Sequence, residues 1–162
     1  MRSTLPTNKL SLLPSVFDRL ADLSDDGFNS QPWYDVTTLS NAVRRDLEDL
    51  LNTQQSLPEL GRDFPLLAES VVGFGVPDPS TFALDTPSGR RCLAAALLNV
   101  INTFEPRLSD VRIELGNANG EKFRELKFRV VARLAIETSP QIVFESKLHV
   151  PSGQFSIGQE AA

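Results

Sequence analysis

The hydrophobic period changes once along this 162-residue chain, and that change limits the folds open to it. Up to about residue 104 the apolar residues recur at helical spacing. Leu39, Val43, Leu47, Leu50 and Leu51 fall at i, i+4, i+8, i+11 and i+12, a single stripe along one helix. Leu93, Ala94, Leu97, Leu98, Ile101 and Phe104 give a second stripe. Beyond Leu108 the spacing becomes two. Val111, Ile113 and Leu115 share one face of a strand. Leu126, Phe128, Val130, Ala132, Leu134 and Ile136 share one face of the next, opposite Lys127, Arg129 and Arg133. Ile142, Phe144, Leu148 and Val150 continue the pattern, and Phe155 and Ile157 close it. Apolar residues alternating with charged ones mark a sheet buried on one face only, which is an antiparallel habit. Helices followed by a run of strands predict an α+β fold. N-terminal helices and one long helix on the C-terminal side pack on a small, roughly four-stranded antiparallel sheet.

The punctuation supports these elements. Pro14 suits the first turn of a short helix carrying Val16, Phe17 and Leu20. Thr37 or Thr38 is positioned to cap the next helix. Residues 56–87 are broken by prolines and glycines, with a turn or two of helix expected over 66–72. Gly73-Phe74-Gly75 lacks the third glycine and the strand–loop–helix setting of a phosphate loop, so it is read as a tight buried turn. Thr86-Pro87 opens the long helix, and Pro106 stops it near Glu105. Val150-Pro151-Ser152-Gly153 fits a type I turn. The domain reading is a flexible stretch over residues 1–11, one domain over 12–158, and a tail over 159–162.

Charge divides along the same line. Residues 1–87 hold 13 acidic and 6 basic side chains, a net of −7, and residues 88–162 hold 8 and 10, a net of +2. The total of −5 argues against nucleic acid or an anionic membrane surface as partner, since both select excess Lys and Arg. No stretch approaches the ~20 apolar residues of a membrane span, and the first ten residues lack the apolar run of a secretory signal. The expected location is the cytoplasm. One cysteine and one histidine exclude an internal disulfide and the usual zinc cage. No metal, cofactor or small-molecule substrate is expected.

Catalytic sets are equally scarce. Nucleophilic chemistry of the Ser-His or Cys-His kind has to use His149, which falls on the outer face of a strand. Cys92 lies beside an apolar stripe and reads as a small core filler. Glu105, Glu114 and Glu125 are available carboxylates, but no spacing pairs them as a glycosidase requires. Asp22, Asp25 and Asp26 do not match a calcium loop. No catalytic residue is assigned.

The most informative segment is Phe104-Glu105-Pro106-Arg107-Leu108, at the junction of helix and sheet. Two opposite charges flank a rigid proline between two apolar anchors. One reading is a local ion pair or helix-end cap. The other is a charge pair presented to a partner, with Arg107 gripping a carboxylate and Glu105 receiving an Arg or Lys. Arg129 and Arg133, on the outer face of the long strand, are interface candidates or part of a solvated face.

This segment resembles the Glu-Pro-Arg signature of the type VI secretion baseplate protein family TssE, which is similar to the sheath-initiating wedge protein of contractile-tailed phages. Leu13-Pro14-Ser15-Val16-Phe17-Asp18-Arg19-Leu20 resembles the family's N-terminal segment. Val43 through Thr53, Ser70 through Asp78, and Leu126-Lys127-Phe128-Arg129-Val130 resemble three further stretches in the family's order. Gln54-Gln55 and Gly73 depart from it. The resemblance covers roughly residues 11–158. It implies a structural subunit that joins other baseplate wedge subunits, helps initiate the contractile sheath, and offers a sheet edge to sheath strands. Glu105, Pro106 and Arg107 then form a protein-binding element, with Arg129 and Arg133 as secondary contacts. The alternatives are a lysozyme-like peptidoglycan hydrolase and a free-standing regulatory adaptor of the same fold.

Overall fold

The computed structural model describes residues 36–55, 64–116, 124–136, 138 and 140–159. The helix expected around residues 14–20 and most of the turn expected over 116–120 lie outside them.

Helix α1 spans Val36–Asn52. The stripe expected to be apolar is the buried one: Leu39, Val43, Leu47, Leu50 and Leu51. The expected cap is corrected. A cap residue stands just outside the helix, whereas Thr37 and Thr38 are already inside its first turn. The next segment holds two separate turns rather than one helix. Helix α2 is the single turn Pro65–Ala68, and a 3₁₀ turn follows over Val71–Gly73. A second 3₁₀ turn covers Pro79–Thr81.

Gly73 and Gly75 behave as the turn reading expected. A Cβ on Gly73 would stand 2.1 Å from the Ala68 carbonyl oxygen, and Gly75 has φ +108° beside the Thr53 carbonyl. The two glycines bring the chain back to the end of α1, where Gln54 and Val76 form a parallel bridge.

Helix α3 spans Pro87–Phe104. Thr86 Oγ accepts a hydrogen bond from the Gly89 N–H at 3.0 Å, and Pro87 occupies the first turn. Leu93, Leu97, Val100 and Ile101 are buried. Cys92 is exposed, which corrects its reading as core filler. It precedes Leu93 by one residue, and one residue turns the helix by about 100°, enough to leave the buried face.

The strands are β1 (Leu108–Leu115), β2 (Glu125–Leu134), β3 (Gln141–His149) and β4 (Gln154–Gln159). They form one antiparallel sheet in the order β1-β2-β3-β4. The alternation in β2 is complete: Leu126, Phe128, Val130, Ala132 and Leu134 are buried, while Lys127, Arg129 and Arg133 are exposed. Ile136 falls beyond the strand and is half-buried. The turn into β4 starts one residue earlier than expected, because the Ser152 and Gly153 N–H groups both bond to the His149 carbonyl.

Helix α1 packs against β4, and α3 against β1. The helices cover the inner face of the sheet, where the Phe128 and Phe155 rings meet edge-on at 6.1 Å. Each large side chain buried here contributes about 1.5–3 kcal/mol relative to exposure. Among the described residues, no helix is long and apolar enough to cross a membrane.

Candidate docking surfaces

The corner between α3 and β1 is built by its proline. Helical bonding ends with the Glu105 N–H to the Ile101 carbonyl at 2.9 Å. Pro106 then turns the chain, and the Leu108 N–H returns to the Glu105 carbonyl at 3.1 Å. This tight turn folds the Glu105 side chain against its own neighbour. Arg107 Nε donates to Glu105 Oε1 at 2.6 Å, Arg107 Nη2 donates to Oε2, and the Arg107 backbone N–H adds a third bond at 3.2 Å. Arg107 Nη2 also donates to Asp46 Oδ2 at 2.7 Å. Arg45 grips the other oxygen of Asp46 at 3.0 and 3.2 Å.

Glu105 is only 4% exposed. A carboxylate so deeply placed is tolerable only when paired and hydrogen-bonded. The hydrogen bonds that Arg107 donates to Glu105, and secondarily to Asp46, push its pKa above its ordinary value against the opposing effect of burial. Of the two sequence readings, the geometry carries the local ion pair. The bidentate carboxylate partner of Arg107 is Glu105 itself. The corner turns outward Pro106, which is exposed, and part of the Arg107 side chain.

Sequence reasoning missed Asp46. Its signal was its position. It lies three residues after Val43 and four before Leu50, so it borders the buried stripe of α1.

A cavity of about 380 Å³ opens beside the corner, between Arg45, Asp49, Phe74, Phe104 and Arg107. Phe74 and Phe104 pack edge-to-face at 5.4 Å. The segment leading to Phe74 displays apolar side chains outward: Leu66 is 84% exposed and Val71 92%, with Phe64 and Val72 also exposed. Contiguous exposed apolar side chains of this kind are uncommon on a protein surface.

The two edges of the sheet differ. Asn52, the last residue of α1, donates from Nδ2 to the Phe155 carbonyl at 2.9 Å and accepts the Phe155 N–H at 2.8 Å. Arg44 Nη1 donates to the Ile157 carbonyl at 3.1 Å. Side chains of α1 thus occupy the outward backbone groups of β4 where an added strand would bond. On β1, the Gly116 N–H points inward to the Lys127 carbonyl at 2.9 Å. Backbone groups alternate along an antiparallel strand, so those of Leu115 and Ile113 point away from the sheet. They have no partner among the described residues.

Arg129 and Arg133 lie on the outer face, as expected, and both face β1 carboxylates. Arg129 Nη2 is 2.7 Å from Glu114 Oε2, and Arg133 Nε is 3.7 Å from Asp110 Oδ2. Exposed pairs of this kind contribute about 0–1 kcal/mol. His149 is exposed and contacts Ser152 Oγ at 2.8 Å. Among the described residues, no group of three or more His, Cys, Asp or Glu side chains is placed to hold a metal ion.

No curated protein and no solved structure matches the chain. The sequence profile of baseplate wedge protein gp25 matches residues 37–139, which include α1, the proline-rich connection, α3, β1, β2 and the Glu-Pro-Arg corner. The family is a structural baseplate family of phage-like contractile machines, and this chain belongs to it.

Proposed function

We propose that this protein is a non-enzymatic wedge subunit of a type VI secretion baseplate, located at the cytoplasmic face of the inner membrane, and that it initiates the contractile sheath. The observation that carries this reading is the asymmetry of the sheet edges. Helix α1 spends Asn52 and Arg44 on closing β4, while the outward backbone groups of Ile113 and Leu115 on β1 have no partner among the described residues. An open sheet edge is a template for one added strand. The first sheath subunit supplies that strand, and its addition sets the register of the ring that follows.

The opposite end of β1 carries the wedge contact. Glu105 holds Arg107 in place, and Pro106 and Arg107 meet another baseplate subunit alongside the apolar residues Leu66, Val71 and Phe74. Arg129 and Arg133 extend the contact on the outer face. Residues 12–158 act as one domain in this role.

Sheath polymerisation seeded by the reconstituted wedge tests the proposal. Ile113→Pro removes an outward N–H without removing a β1–β2 ladder bond. It is expected to leave the fold and wedge co-purification intact and to abolish seeding. Normal seeding by this variant overturns the assignment of β1. Unchanged pull-down of baseplate subunits by folded Glu105→Ala and Arg107→Ala proteins overturns the corner as a docking element.

A further inference from the structure

The outer face of the sheet carries a feature that neither strand addition nor the corner uses. Lys127 on β2 stands directly opposite Lys147 on β3. Both are exposed, and among the described residues neither forms an ion pair with a carboxylate. Directly opposed side chains in an antiparallel pair lie about 5 Å apart at Cβ, and like charges there repel. The row they share ends in small residues, Gly116 on the β1 side and Ser156 on the β4 side.

The neighbouring row differs. It reads Glu114, Arg129, Glu145 and Gly158 across the four strands. Arg129 is already engaged by Glu114. A trough of about 250 Å³ lies between the two rows. Phe128 and Ser146 also border it, and because their side chains point into the core, their backbone forms its floor. The lysine stems make one wall apolar while the ammonium groups stand at its rim. The trough therefore has side-chain dimensions, an apolar interior and, at one lip, two positive charges with no ion-pair partner among the described residues.

From this geometry we infer that the trough accepts a carboxylate side chain from an acidic segment of a partner protein, held between the Lys127 and Lys147 ammonium groups. Charge complementarity selects the occupant. A single carboxylate relieves the repulsion of the lysine pair. A densely charged polyanion, such as nucleic acid or an anionic bilayer, meets Glu114 and Glu145 on the facing wall. The inference is independent of the β1 assignment, since it concerns the face of the sheet and not its edge.

The test uses the full chain, isotopically labelled, and a ten-residue peptide with glutamate at alternate positions. Addition of the peptide is expected to shift the amide signals of Lys127, Lys147 and Ser156 in a saturable way. The same peptide with glutamine for glutamate is expected to bind at least tenfold more weakly. Lys127→Glu/Lys147→Glu, which changes only exposed positions, is expected to weaken binding at least tenfold with the rest of the spectrum unchanged. Equal binding of the glutamine peptide, tighter binding of a ten-nucleotide single-stranded DNA, or unaltered binding by the double variant overturns the inference. Should the charge reversal perturb the fold, Lys127→Gln/Lys147→Gln gives the same reading.

Discussion

Arg107 and Asp46 are separated by 61 residues in sequence and joined by a 2.7 Å ion pair. This contact ties α1 to the corner where α3 becomes β1. The same guanidinium supplies the charge that lets Glu105 remain buried. Asp46 and Arg107 are each partly open to solvent, with 28% of each side chain exposed, while the Glu105 side chain is at 5%.

That inequality predicts unequal mutational costs. Arg107→Ala strands a buried carboxylate and is expected to cost about 3–5 kcal/mol. Glu105→Ala leaves an arginine that still reaches Asp46 and water, and is expected to cost less, about 1–3 kcal/mol. The double variant is expected to fall well short of the sum, because the stranded charge is gone. Urea unfolding of the three proteins checks the order. Equal costs for the two single variants would contradict it.

Asn52 makes a separable contribution at the β4 edge. Asn52→Ala removes one donor and one acceptor facing Phe155, and a loss of about 1–3 kcal/mol is expected. Amide hydrogen exchange at Phe155 should rise more than at strand residues away from this edge. The newly opened edge should also raise the tendency of the protein to self-associate, which light scattering would register.

The glycines provide an internal comparison. Gly153 has φ +67° with nothing within 4 Å of an added Cβ, so Gly153→Ala is expected to cost about 1–2 kcal/mol from conformation alone. Gly75 has φ +108°, and its added Cβ meets the Thr53 carbonyl oxygen at 2.4 Å. Gly75→Ala is expected to cost more than Gly153→Ala, because a backbone clash adds to the strain. Thermal denaturation of the pair decides the matter.

Asp78 governs a small acid-sensitive contribution. Its carboxylate accepts the Ser80 N–H at 2.8 Å, which lowers its pKa below that of an ordinary aspartate. A lowered folded-state value means stabilisation that is present above the unfolded-state pKa. It is lost as pH falls through the lower folded-state value. A carboxyl NMR titration is expected to give a midpoint below that of an aspartate in an unstructured peptide. The shift should disappear on Ser80→Pro, which removes the donor.

Much of this was legible in the chain before folding. The stripe on α1, the Thr86-Pro87 start of α3, its end before Pro106 and the alternation of β2 and β3 all depend on nearest neighbours in sequence. Local periodicity and local sterics report them directly. Cys92 was misread because one residue of helix rotation separates a stripe from its flank. The turn at His149–Gly153 slipped by one residue because its proline and glycine tolerate either start.

By itself the sequence determined which residues form helices and strands, which faces are apolar, and that the Glu-Pro-Arg corner follows the long helix. Only the tertiary structure decided what that corner touches and which edge of the sheet α1 closes. Asp46 meets Arg107, and Asn52 meets Phe155, across spans of 61 and 103 residues. Such contacts depend on how whole elements pack, and no local period encodes them. The charge pair that the sequence allowed to face outward was turned inward for the same reason. Glu105 follows the helix four residues after the buried Ile101 and so falls on its buried face, where packing takes its carboxylate out of water, and the nearest cation has to follow it.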